Sequence, residues 1–299
     1  MENPKNCVIG IDLGGTKIAS ALIDLDKKNI ITDINIPTEA KKGKKAVLNK
    51  IKKSIETLKK LSKAKISAIG IGVPGPILYE KGIVVNPPNL PGWKKVNLKK
   101  ILTDMFRIPV YVDNDANCAA YGEALFGAGK KAKNFIYITV STGIGGGIII
   151  ERKIYRGKNG SAGEIGHIII DASNRKYKCG CGNYGDLESM ASGTSIKKIF
   201  GENAMAVHIK AQQGEKKALK IIDQVAYYLG LGITNLVNIF DPELIVVGGG
   251  LSNMDNLLLK PVRSYVKKHA LPIPASTIKI VKARLGSKAG VLGAGALCL

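Results

Sequence analysis

The stretch CVIGIDLGGTKIASALID, residues 7–24, returns in outline as FIYITVSTGIGGGIII, residues 135–150. Each is an apolar run, a glycine-rich turn carrying a threonine, and a second apolar run. Leu13-Gly14-Gly15-Thr16 and Thr142-Gly143-Ile144-Gly145 occupy corresponding places. A duplication of this kind points to two related α/β lobes facing each other across a cleft.

The rest of the chain fits that frame. Strands are expected at Val8–Ile11, Ile18–Ile23 and Ile30–Ile36, the last after a turn at Asp26–Asn29. Leu48, Ile51, Ile55, Leu58 and Leu61 recur three or four apart, which predicts an amphipathic helix with lysines outward. ISAIGIGVPGPI and IPVYVDND read as further strands, and the chain after the cysteines at 179 and 181 reads as helical through Leu236. PELIVVGGGLS then gives a strand meeting three glycines. No Pro- or Ser-rich linker separates the halves. The expected division is a smaller lobe over 1–113, completed by a C-terminal helix at 286–299, and a larger lobe over 114–285.

Bulk properties exclude several classes. Hydrophobic residues make up 45% of the 299 and charged residues 23%, a folded rather than a disordered composition. The longest uncharged runs, 134–150 and 224–240, fall short of the ~20 apolar residues a spanning helix needs, so no membrane is expected. The opening MENPKNCVIGID lacks the basic, apolar and small-residue series of a cleavable leader. Five cysteines, an odd number, then point to a reducing, cytoplasmic setting. The net charge is +22, from 39 lysines and six arginines. The lysines lie in scattered pairs without interleaved aromatics, a solvated surface rather than a nucleic-acid footprint. They would still draw in polyanions such as nucleotides.

Glycine turns at strand ends let a backbone approach phosphate closely and aim N–H groups at it. Here there are three, at Gly14, Gly143 and Gly248. Beside the first, Asp12 would repel a phosphate unless a cation stood between them, and Mg²⁺ suits carboxylate, water and phosphate oxygens. Gly14, Gly15 and Thr16 would supply donors and Lys17 a positive charge; the alternative is an exposed hairpin tip. No G-x-x-x-x-G-K-[ST] loop is present. Gly70, Gly72 and Gly75 satisfy G-x-G-x-x-G on paper, but Pro74 and Pro76 fill the place where a dinucleotide site opens its helix.

The ordered series GIDLGGTKIASALID, GIGVPGPI, PNLPGW, NDANCAAYGEALFGAG, STGIGGGI, SAGEIGH, CGCGNYGDLE and NIFDPELIVVGGGLS resembles the ROK family of sugar kinases and related repressors, from Val8 to about Ala296. The resemblance implies a two-lobed actin-like ATPase (ribonuclease H-like) fold with a ligand cleft between the lobes. It also implies an ATP-dependent hexokinase, glucokinase-like, acting on the 6-hydroxyl of glucose, with an amino-sugar kinase as the alternative. By that resemblance Asp12, Gly14, Gly15, Thr16, Lys17, Thr142, Gly143, Gly248 and Gly249 hold ATP and Mg²⁺. Asp115 is the matched catalytic base, and Gly75, Asn89, Asn114, Asp115, Glu164, His167 and Glu188 are the sugar contacts. A carboxylate suits the base, because a sugar hydroxyl must lose its proton as its bond to phosphorus forms. Asp113, two residues earlier, would share a strand face with Asp115 but is read as structural. The family is often dimeric or tetrameric, so a homo-oligomer is expected.

In the family the cysteine loop and the histidine of GEIGH hold a structural Zn²⁺ with three cysteines. Here the matching positions are His167, Cys179, Cys181 and Asp186, an aspartate standing where the third cysteine would be. Zinc accepts carboxylate oxygen, so the tetrahedron remains possible; if Asp186 does not reach, the site is empty. A disulfide closing over one residue would be strained. Two rival functions differ in class. A sugar-sensing repressor of the same family carries a DNA-binding domain ahead of the first phosphate loop, and only eleven residues precede Asp12. An actin-like ATPase of chaperone type would share the phosphate turns but not NDAN, GEIGH and the cysteine loop. Polyphosphate as donor fits the lysine excess, whereas VVGGGLS favours ATP.

Overall fold

The structure, a computed structural model, describes residues 7–299; the reading of residues 1–6 as free of a leader lies outside them. Two compact units emerge. The first runs to Lys130, takes in Lys153–Ala162 and closes with Ser287–Leu299. The second holds Lys131–Arg152 and Gly163–Gly286. Among the described residues, no helix is long and apolar enough to cross a membrane.

In the first unit β1 (Cys7–Leu13), β2 (Lys17–Asp24) and β3 (Asn29–Pro37) form an antiparallel meander, followed by α1 (Lys44–Leu61). Next come β4 (Ile66–Val73), a small sheet of β5 (Ile77–Leu78), β6 (Ile83–Val84) and β7 (Val96–Asn97), and then α2 (Leu98–Phe106). β8 (Val110–Asn114) and α3 (Asp115–Phe126) complete the first stretch. The main sheet has the order β3-β2-β1-β4-β8, with β4 parallel to β1 and β8 parallel to β4. Successive side chains on a strand face opposite ways. Ile9, Ile11, Ile69 and Ile71 therefore share a core with Val47, Ile51, Ile55 and Leu58 of α1 and Leu102 of α2. Val47 heads the buried stripe of α1; Leu61, at the helix end, is exposed.

The opposite face carries small residues. A Cβ at Gly10 would collide with the Val291 carbonyl, and one at Gly70 with the Ala294 carbonyl. That absence of side chains lets α10 (Ala289–Ala296) lie directly on β1 and β4. α3 packs closely along α10, where a Cβ at Gly293 would strike the Cys118 carbonyl. For that reason α3 falls in the first unit, and the division comes after Lys130 rather than at 113. The returning stretch Lys153–Ala162 opens with β11 (Lys153–Tyr155), which packs against α3.

The second unit repeats the plan. β9 (Phe135–Val140) and β10 (Ile144–Ile150) form a hairpin. β12 (Leu244–Gly248) runs parallel to β9, and β13 (Lys279–Lys282) parallel to β12. The stretch expected to be helical through Leu236 is four helices: α4 (Leu187–Ala191), α5 (Gly193–Phe200), α6 (Ala204–Gln212) and α7 (Lys216–Phe240). The breaks have local causes. Ser192 caps α5 by accepting from Ser195 N–H, and Gly201 and Gly214 take positive φ. α7 packs with α8 (Asn256–His269) over a core of Ile136, Ile138, Leu229, Ile233, Ile245 and Val262. α9 (Pro272–Thr277) precedes β13.

Candidate active site

In the first unit the turn Gly14–Thr16 joins β1 to β2. Gly14 N–H donates to the Lys17 carbonyl at 2.9 Å, and Thr38 Oγ1 donates to the Gly14 carbonyl at 2.6 Å. The turn is thus pinned from outside, with Thr16 and Lys17 exposed. A Cβ at Gly15 would lie 2.8 Å from Asn89 Cβ, so the turn and the Asn89 loop touch. Gly75 lies half-buried in the turn after β4.

Strand register sets Asp12, Gly72 and Asp113 in one row across β1, β4 and β8. Asp12 lies against α10: a Cβ at Gly290 would come within 2.5 Å of its Oδ2. Burial pushes the Asp12 carboxyl up to about 6, against the opposing pull of Lys17. β8 ends at Asn114, because its Oδ1 accepts from Ala116 N–H at 2.8 Å and Asn117 N–H at 3.3 Å and so caps α3. Asp115 is consequently the first residue of that helix, with Oδ1 accepting from Ala116 N–H at 2.8 Å. The expectation that Asp113 and Asp115 share a strand face is corrected by that cap.

In the second unit the turn Ser141–Gly143 closes with Ser141 N–H donating to the Gly143 carbonyl at 2.8 Å. Gly193 and Thr194 N–H, at the start of α5, donate to the carbonyls of Ser141 and Thr142. Glu188 Oε2 accepts from Ile144 N–H at 2.8 Å, and a Cβ at Gly143 would collide with that carboxylate. At the end of β12, a Cβ at Gly248 would meet the Tyr137 hydroxyl, and one at Gly249 the Val140 backbone. Beside these turns lies a cavity of about 360 Å³, lined by Thr142, Thr194, Lys197, Asn203, Met205, His208 and Gly250 among others. Its size suits a small ligand. Lys197, Asn203, Met205 and His208 escaped the sequence reading, since they come from α5, α6 and their connection without any spacing pattern.

Around the cysteine loop, Ile165–His167 forms a single 3-10 turn, which puts His167 Nε2 3.9 Å from Glu164 Oε2. His167 Nδ1 lies 3.2 Å from Asp186 Oδ2 and 3.7 Å from Cys179 Sγ. Cys181 Sγ lies 3.4 Å from the same Asp186 oxygen. One ligand atom from each of the four residues falls within 4.8 Å of the others. Bonds of the lengths zinc takes would give tetrahedral edges of about 3.3–3.8 Å. The donor set fits. Asp186 does reach: its Oδ1 caps α4 through Ser189 N–H at 2.8 Å, leaving Oδ2 for the cluster. Burial opposes the Asp186 charge, yet hydrogen bonds from Cys179, Ser189 and His167 hold its carboxyl below the usual value. Burial and Asp186 together push the Cys179 thiol up. Glu188 Oε1 lies 3.7 Å from Cys179 Sγ, so one carboxylate touches both the glycine turn and the cysteine loop.

The sequence profile of the ROK family matches residues 8–299. A glucokinase of Halalkalibacterium halodurans is 38% identical over 96% of this chain and 93% of its own. A xylose repressor of Caldicellulosiruptor bescii is 34% identical over 98% of this chain and 78% of its own. The crystal structure of a ROK family glucokinase from Streptomyces griseus in complex with glucose and AMPPNP superposes with a TM-score of 0.84, at 31% identity over 97% of this chain and 98% of that one. With its repeated hairpin-and-parallel-strand units and with matches spanning almost its full length, this chain belongs to the ROK family and has the two-lobed actin-like ATPase fold of that family's sugar kinases.

Proposed function

We propose that the protein is an ATP-dependent hexokinase that transfers the γ-phosphate of ATP to the 6-hydroxyl of glucose. The observation that carries this reading is Glu188, whose two oxygens join the second glycine turn to the His167 and cysteine cluster inside one unit. A bare ATPase has no use for that link. In the reaction Asp115 accepts the proton of the 6-hydroxyl as the oxygen–phosphorus bond forms, and the bond from the γ-phosphorus to the β-phosphate breaks to release ADP. Asn89, Asn114, Glu164, His167 and Glu188 orient the sugar hydroxyls, with Gly75 offering backbone contact. Gly14, Gly15, Thr16, Lys17, Thr142 and Gly143 hold phosphate, and Gly248 and Gly249 admit the nucleoside beside the cavity. Asp12 would hold Mg²⁺, which when bound neutralises phosphate oxygens.

His167, Cys179, Cys181 and Asp186 would hold Zn²⁺, which when bound cross-links the loops carrying Glu164 and Glu188. Metal analysis is expected to find one zinc per chain. Asp186→Asn keeps an oxygen to cap α4 but loses the charge facing the thiols. It should lower zinc occupancy and raise the KM for glucose by about tenfold or more, with a smaller effect on kcat. Full zinc in that variant, or an unchanged KM after zinc is lost, would overturn the assignment. Exposed Ile239, Leu271 and Ile273 support a homo-oligomer as part of the same reading.

The decisive assay follows ADP release with Mg²⁺ and ATP, with and without a panel of hexoses. ATP turnover that ignores sugar would discard the kinase reading. Similarity to the xylose repressor supports one second reading, a sugar sensor. Glucose binding without phosphorylation would favour it.

A further inference from the structure

The returning stretch of the first unit carries a buried ionic contact that the reaction as described does not use. Arg156, directly after β11, directs both Nε and Nη2 at Asp113 Oδ2, each at 2.8 Å. Asp113 is 1% exposed, and the Arg156 side chain 23%. The guanidinium also stacks over Tyr79, 4.0 Å from the ring centroid. Its own backbone is held: the Arg156 carbonyl accepts from Ala162 N–H at 3.1 Å, closing a loop whose Gly160 rests against Tyr79.

The other oxygen of Asp113 works on the start of α3. Oδ1 accepts from Asn114 N–H at 2.7 Å and from Asn117 Nδ2 at 3.0 Å. Asn114 and Asn117 flank Asp115, and the Asn114 side chain caps the helix that Asp115 begins. One carboxylate therefore ties Arg156 to the corner on which the candidate base stands. The surroundings are acidic. Over Gly72 in the row between Asp12 and Asp113 sits the buried Cys118 thiol, 3.0 Å from where a Gly72 Cβ would be. Burial pushes that thiol up, Asp113, Asp12 and Asp115 push it further, and Arg156 opposes them. Without its partner the Asp113 carboxylate would be left buried with no opposing charge, held at the corner by its Oδ1 hydrogen bonds alone.

We propose that Arg156 is a positioning residue for phosphoryl transfer: by clamping Asp113 it fixes the β8–α3 corner and so the Asp115 carboxylate. Small displacements of a reacting group are costly, with a misplacement of about 1 Å able to remove 10²-fold in rate. Lysine cannot replace arginine here, because it lacks the planar fork and the ring stack. The inference rests on the hexokinase reading, and the experiment separates the two. If the parent protein phosphorylates no hexose, the reading itself fails.

Given an active parent, Arg156→Gln is expected to lower kcat at least tenfold while AMPPNP still binds at one per chain, so that the loss is not a loss of folded protein. Arg156→Lys should fall between the two. Asp113→Asn combined with Arg156→Gln removes the unpaired charge and secures folding should the single variant not fold. Its kcat should stay at least fivefold below the parent, yet fall no further than the Arg156→Gln single, because both residues act through one contact. A folded Arg156→Gln or double variant with kcat within twofold of the parent would overturn the proposal. So would a double variant whose loss equals the product of the losses measured for the Arg156→Gln and Asp113→Asn singles.

Discussion

Asp115→Asn is expected to lower kcat for glucose phosphorylation by about 10³-fold, within the range by which a positioned acid or base accelerates reactions. Asparagine keeps the shape of the side chain and an oxygen able to accept from Ala116 N–H, the bond that Asp115 makes at the start of α3. Folding should therefore be preserved, with a thermal midpoint close to that of the parent. What asparagine cannot do is take a proton from a hydroxyl. The nucleotide residues lie elsewhere, so the KM for ATP should stay within about twofold, and the loss should fall on kcat. Alanine at the same place is a weaker test, since it also removes the bond to Ala116. A folded Asp115→Asn enzyme that turns over at the parental rate would falsify the assignment of the base.

Much of the scaffold was legible because it repeats. Both hairpins announce themselves as apolar runs around glycine, and β4 and β12, the parallel strands beside them, read as nearly continuous buried runs because both their faces are covered. The site was legible only in part. Asp12 falls near the end of β1, and Gly14 and Gly143 fall on turns that local sequence dictates. The contact of Gly15 with Asn89 joins positions far apart in the chain, and no spacing encodes it. The same holds for the Arg156–Asp113 pair, whose partners are 43 residues apart. The unit boundary was misplaced for a related reason: α3 looks like the beginning of something new until α10, near the end of the chain, is laid along it. Asp113 and Asp115 looked equivalent on a strand template, and a single capping side chain, Asn114, separated their roles.

Asp12→Asn should move stability and activity in opposite directions. Burial raises the Asp12 carboxyl to about 6 from its ordinary 3.8, so the fold favours the protonated form. That preference is fully present below the unfolded value, near pH 4, and is lost as pH rises through about 6. At pH 7.5 the ligand-free protein carries an ionised Asp12 at a cost of about 3 kcal/mol. Asparagine is neutral at every pH and escapes this cost. The ligand-free variant should melt on the order of 5 °C higher than the parent at pH 7.5, an advantage that shrinks toward nothing near pH 4. The charge that destabilises the resting protein is the one a divalent cation and its phosphates would use. The variant should lose about 10²-fold or more in kcat/KM for ATP, and Mg²⁺ with AMPPNP should raise its melting temperature far less than the parent's. Calorimetry across pH 4–8 with and without nucleotide checks both halves. A variant less stable than the parent at pH 7.5 would show that the ionised carboxylate is not under strain, and one that keeps parental kcat/KM would remove Asp12 from the nucleotide site.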